Sequence, residues 1–166
     1  MEVFEKRHPF SLDPNILAEM YYDDGTKDAE FNGGHHAFCF VNDDSIVLTY
    51  HERDGHYGIV GGGREKDETP EQTLRREVKE EINADLLSWG RGFAIHSARR
   101  DDSKFSEWGF QSWANVRLIG ESDDIKDPGG DVAKRVVAPI ADVPGLLKWQ
   151  NIEHRLAEII RLRNAS

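Results

Sequence analysis

The sequence predicts an α/β or α+β sandwich, with strands interleaved among two or three helices. Three observations carry this expectation. Residues 106–118 alternate apolar and polar side chains with the period of a strand. Residues 70–82 form a sharply punctuated helical segment. Apolar runs at 36–41 and 46–51 flank Asn42-Asp43-Asp44-Ser45, the pattern of a hairpin with a polar loop.

The remaining elements follow in chain order. Residues 1–34 form a mixed lead-in. Asp13 and Pro14 suit an N-cap and a first helical position, so a short helix is expected through Met20. Residues 23–28, Asp-Asp-Gly-Thr-Lys-Asp, read as a turn. After the hairpin, Arg53-Asp54-Gly55 leads into a short strand over 57–60, and Gly61-Gly62-Gly63 follow it.

The helix over 70–82 has a marked start. Thr69 is the N-cap, Pro70 the first helical residue, and Gln72 completes a capping box with Thr69. Asn83 marks its end, because asparagine tolerates a left-handed conformation. A strand is expected over 86–97, carrying Trp89, Phe93 and Ile95, then a charged loop over 99–104. In 106–118 the even positions Trp108, Phe110, Ala114, Val116 and Leu118 are apolar, with Ser112 among them. The odd positions Gln111, Asn115 and Arg117 are polar, and Trp113 breaks the alternation. An acidic loop over 121–131 ends in a Pro-Gly-Gly turn. A last strand over 135–140 and a C-terminal helix over 151–162 complete the chain, which is expected to be one domain over 1–166. Ile152, Leu156, Ile159 and Ile160 fall on the buried face of that helix.

Composition narrows the function. With 166 residues and 8 Phe, 4 Trp and 4 Tyr, the chain can bury a substantial core. A net charge of −10 argues against binding a nucleic-acid polymer. A small anionic substrate would need a mediating cation. Cys39 is the single cysteine, so neither an internal disulfide nor a multi-cysteine zinc site is expected. It lies within Ala37-Phe38-Cys39-Phe40-Val41 and reads as a small buried hydrophobe. The N-terminus lacks the apolar core of a signal peptide, and no apolar run approaches roughly 18 residues. No membrane contact and a cytoplasmic location are therefore expected.

The helix over 70–82 carries the chemistry. On a helical wheel Leu74, Val78 and Ile82 share one arc, and Glu77, Glu80 and Glu81 occupy the arc beside it. These carboxylates therefore lie at the edge of a core. Each like-charge pair at i, i+3 or i, i+4 costs an isolated helix about 0.2–0.5 kcal/mol, and partial burial raises that cost. A hard divalent cation reverses the sign. Arg75, Arg76 and Lys79 offer the plainer alternative of a solvated, salt-bridged face.

The flanking residues decide between them. From Gly62 the sequence runs through five residues to Glu68 and seven more to Arg76-Glu77-Val78-Lys79-Glu80-Glu81-Ile82-Asn83-Ala84. This resembles the Nudix box, which asks for Gly, Glu, Arg-Glu, a bulky aliphatic and Glu-Glu at those spacings. Six matched positions require one residue type each, so a chance match in a chain of this length is on the order of one in 10⁵. Asn83 stands where the pattern has its last glycine, and Ala84 replaces an aliphatic residue. The lead-in 57–62 lacks the proline many members carry.

The resemblance implies a Nudix fold, an α/β/α sandwich with a mixed sheet. It implies Mg²⁺ or Mn²⁺ bound by Glu77, Glu80 and Glu81, with the Gly61 carbonyl as a further ligand. Arg76 and Glu68 would orient the glutamates, and Gly62 would shape the loop. It implies hydrolysis of a diphosphate linkage in a small phosphoanhydride, a nucleoside diphosphate derivative such as a nucleoside triphosphate. Glu77 would be the general base, or an acid from a later loop, with Glu121 first and Glu107 second. Tyr57, Arg99 and Trp108 are candidate substrate contacts. A homodimer is compatible with the resemblance. The alternative reading is a catalytically silent nucleotide-binding or sensor domain on the same fold.

Overall fold

The computed structural model describes residues 1–7, 13–125, 127–132 and 134–166. The described residues form a nine-stranded mixed sheet with helices on both faces. In chain order the elements are β1 (Val3–Arg7), β2 (Ile16–Tyr22), β3 (Gly34–Phe40), β4 (Ser45–His51), β5 (His56–Gly58), β6 (Val60–Gly63), α1 (Pro70–Ile82), β7 (Ala84–Arg99), β8 (Ser106–Leu118), β9 (Lys134–Pro139), α2 (Val143–Leu147) and α3 (Ile152–Asn164).

The strand order is β1-β2-β7-β8-β3-β4-β5, with β6 added to β3 and β9 to β4. All pairs are antiparallel except β3 with β8. That parallel pair places the middle of β8 beside the strand that meets the glycine strand β6.

Period-two alternation sorts the core into two layers. Ala37, Cys39, Val47, Ala114 and Val116 face α1 and pack with Leu74, Val78 and Ile82. Phe38, Phe40, Ile46, Leu48, Phe93 and Trp113 face the other way, onto Val143, Leu147, Ile152, Leu156 and Ile159 of α2 and α3. Trp113 breaks the alternation of its strand because α3 covers that face as well. Cys39 is fully buried, and burial pushes its thiol pKa up.

Three expectations are corrected. Residues 14–20 do not form a helix. Asp13 makes a turn instead, its Oδ1 accepting from the Asn15 amide at 2.9 Å and its carbonyl from Ile16 at 3.2 Å. Residues 16–22 then pair with both β1 and β7, and that ladder outweighs the local N-cap signal. The strand expected over 57–60 is two strands, β5 and β6, which pair with different partners. The short helix α2 was not expected. In α3 the buried face comprises Ile152, Arg155, Leu156 and Ile159, with Ile160 only half-buried.

The inward residues of α1 are fully enclosed, Leu74 and Val78 being 0% exposed. Leu74→Ala is expected to cost about 2–5 kcal/mol in a urea titration without changing the fold. A loss below about 1 kcal/mol would contradict this packing.

Candidate active site

Local chemistry fixes the start of α1. The Thr69 side chain accepts from the Gln72 amide at 3.2 Å, and the Gln72 side chain accepts from the Thr69 amide at 2.9 Å. A strut then ties the first turn to the sheet. His35 Nδ1 lies 2.7 Å from the Pro70 carbonyl, and Nε2 lies 2.7 Å from Ser112 Oγ. A carbonyl only accepts, so Nδ1 carries the proton and Nε2 accepts from the serine hydroxyl. Burial holds the His35 pKa down at about 4, which keeps the ring in that neutral form.

β6 passes close beneath the helix. Gly61 has φ +148, and a Cβ there would sit 2.3 Å from the His35 carbonyl oxygen. A Cβ on Gly62 would sit 2.5 Å from Glu77 Oε1. Glycine at 61 lets β6 lie against β3, and glycine at 62 leaves room for the Glu77 carboxylate beside the backbone. The Gly61 amide donates to Glu81 Oε1 at 3.2 Å.

Arg76 organises the acidic face. Its Nε and Nη2 hold Glu68 by a two-pronged bond at 2.9 and 3.0 Å, and Nη2 also reaches the Gly63 carbonyl at 2.8 Å. Nη1 donates to Glu77 Oε1 at 2.7 Å and to Glu80 Oε2 at 3.1 Å. Glu68 accepts further from the Glu65 amide at 2.7 Å and Thr73 Oγ1 at 3.1 Å. The Arg76 guanidinium holds the Glu68 pKa down at about 2.

Glu77 and Glu81 are 8% and 7% exposed. Burial raises the Glu77 pKa, with Arg76 opposing the rise. Burial, and then the neighbouring Glu77, raise the Glu81 pKa to about 8. Both face a cleft of about 420 Å³, lined also by Glu80, Arg76, the three glycines and His51, and on the far wall by Asp127 and Asp131. Among the described residues no three acidic, histidine or cysteine side chains converge into a finished metal cage. The carboxylates instead form an open acidic wall.

The structure thus brings together Gly61, Gly62, Arg76, Glu77, Glu80 and Glu81, with Glu68 braced behind them. The other candidates lie outside the cleft lining. Glu121 is exposed, and its backbone amide donates to Asp124 Oδ2 at 2.8 Å in the 3-10 turn Ser122–Asp124. Glu107 lies against Gly33. Tyr57 packs beside Tyr50 against the core on the opposite face of the sheet. Arg99 pairs with Asp101 at 2.9 Å and Asp13 at 3.2 Å. Trp108 stacks on His96 at 4.7 Å, with the Lys27 ammonium 4.9 Å from its centroid. The sequence does not single out Asp127 or Asp131, whose signal is two acids bracketing Pro128-Gly129-Gly130. His51 stands in the sequence only as one of several isolated histidines that could line a pocket, and the cleft includes it.

The family model for the NUDIX domain matches residues 34–157. No protein of curated function matches in sequence. Several solved structures share the fold. The pyrophosphohydrolase BsRppH of Bacillus subtilis, in a mutant form, superposes with a TM-score of 0.68 at 18% identity, covering 100% of this chain and 98% of its own. A NUDIX hydrolase from Nitrosomonas europaea gives 0.58 at 17% identity, covering 81% and 89%. The MutT protein of Bacillus halodurans gives 0.54 at 13%, covering 78% and 82%. No helix among the described residues is long and apolar enough to cross a membrane.

The raised Glu81 pKa sets a pH signature. Between the ordinary 4.5 of an unfolded glutamate and the folded value near 8, the folded chain holds a proton that the unfolded chain has lost. This stability is complete below pH 4.5 and is lost as pH rises towards 8. In metal-free protein at pH 8, Glu81→Gln is expected to be stabilising by on the order of 2 kcal/mol, a rise in Tm of roughly 4–8 °C, and near neutral at pH 5. A destabilised variant at pH 8 would contradict the burial of an unpaired charge.

Proposed function

The chain belongs to the Nudix family, and from that premise we propose that it is a metal-dependent pyrophosphohydrolase that cuts a diphosphate linkage. One observation carries the reading. Two buried carboxylates, Glu77 and Glu81, lie one helical turn apart and face a cleft whose lining includes one arginine against six acids. Such a wall repels a phosphate chain unless a cation intervenes.

The donor set suits a hard divalent ion, Mg²⁺ or Mn²⁺. The oxygens are carboxylate and carbonyl, the cleft is open enough for water, and a Mg²⁺ site commonly takes one or two carboxylates with waters and substrate phosphates. Glu77, Glu80, Glu81 and the Gly61 carbonyl would hold it. When bound, the ion would neutralise phosphate oxygens and acidify a coordinated water.

The chain's own groups divide the remaining work. Arg76 engages Glu77 Oε1 and leaves Oε2 to take the proton of the attacking water. Glu68 fixes Arg76, so the orientation of Glu77 is inherited from the Glu68–Arg76 pair. Gly62 leaves space beside the Glu77 carboxylate that any side chain would fill. On the far wall Asp127 folds its loop, accepting backbone donors from Gly129, Asp131 and Val132 at 3.0–3.1 Å. Asp131 is the loop acid in the cleft, in place of Glu121. The substrate we propose is a nucleoside diphosphate derivative such as a nucleoside triphosphate. The similar structure named as a pyrophosphohydrolase agrees in reaction class.

A panel of phosphoanhydrides scored for phosphate release, with and without Mg²⁺, tests the proposal. Glu77→Gln and Glu80→Gln are expected to lower kcat by about 10²-fold or more while retaining the folded spectrum. Activity within tenfold of wild type would overturn the assignment. Mn²⁺ binding without turnover of any substrate would make the chain a sensor instead.

A further inference from the structure

Acids of α1 and of the segment that carries Asp127 and Asp131 line one cleft, and one side chain outside that lining ties the end of α1 to the chain that leads into this segment. Arg135 stands second in β9, beside Thr49 on the face that looks towards α1. Its Nη1 donates to the carbonyls of Ile82 at 2.8 Å, Asn83 at 3.2 Å and Ile119 at 2.8 Å. Its Nη2 donates to the Gly120 carbonyl, and its backbone amide donates to Ser122 Oγ at 3.2 Å.

These partners belong to three structures. Ile82 and Asn83 end α1, where helical carbonyls lack intrahelical donors and the helix dipole favours a cation. Ile119 and Gly120 directly follow the strand β8. Ser122 opens the turn from which the chain runs to Asp127 and Asp131. Arg135 itself stands four residues beyond Asp131, so it grips the loop at both feet and the helix end at once. Asn83 adds a parallel tie, its Nδ2 donating to the Ile119 carbonyl at 3.1 Å.

We propose that Arg135 is a positioning residue that sets the spacing between the two acidic walls of the cleft, one on α1 and one on residues 127–132. This rests on the hydrolase reading above for its kinetic arm only. Lysine in its place keeps the charge but offers a single nitrogen, which cannot reach four carbonyls in a fixed fork.

Hydrogen exchange on metal-free protein tests the clasp directly. In R135K, and in R135Q if it folds, amides at 82–84, 120–125 and 127–132 are expected to exchange at least about tenfold faster, with those of β3 and α3 unchanged. On the enzyme with Mg²⁺, R135K is expected to lower kcat by about 30-fold with KM within threefold. Asp131→Asn should then cost less than about a third as much in the R135K background as in wild type, because the loop acid is already displaced. Unchanged exchange in both segments, or rate losses that simply multiply, would overturn the proposal. A wild-type chain without turnover would instead sink the hydrolase reading and leave the exchange arm to decide the clasp.

Discussion

Two carboxylates that repel each other, held out of water one turn apart on α1, are the constraint around which the site is built. Glu81 receives a single amide from Gly61, and Glu77 shares Arg76 with Glu68 and Glu80. Burying such a pair opposes folding. The arrangement is stable in its ionised form only with a further positive charge in the cleft, which a bound cation would supply.

The scaffold holds this pair from several directions. The capping box fixes the entry of α1, His35 ties its first turn to β3 and β8, and Arg135 gathers the carbonyls at its exit. The apolar stripe of Leu74, Val78 and Ile82 seats the helix on the sheet. With both ends and one face restrained, the acidic edge cannot rotate away from β6. Gly61 then lets β6 lie against β3, and Gly62 sets how closely backbone and the Glu77 carboxylate meet.

Much of this was legible in the residues. Thr69, Pro70 and Gln72 announced the helix start, and Asn83, in the left-handed conformation at φ 45, its end. The wheel placed Glu77 and Glu81 at the core edge, and the spacing from Gly62 to Glu81 identified the loop and its brace. What stayed hidden depends on contacts distant in sequence. Asp13-Pro14 resembles a helix start, and only pairing with β1 and β7 turns 16–22 into a strand. Glu121 stands just after a long strand, the position favoured by local pattern, yet the later acids that line the cleft are Asp127 and Asp131. His35 and Arg135 act on atoms 35 and 53 positions away in the chain, beyond the reach of any local pattern.

In the proposed enzyme a cation replaces a proton at the buried carboxylates. Proton release on adding Mn²⁺ to metal-free protein in weakly buffered solution measures this directly. With the Glu81 pKa near 8, about one proton per bound ion is expected at pH 7, falling towards zero at pH 9 and absent in Glu81→Gln. Binding with no proton release at pH 7, or no binding at all by a folded sample, would contradict the account.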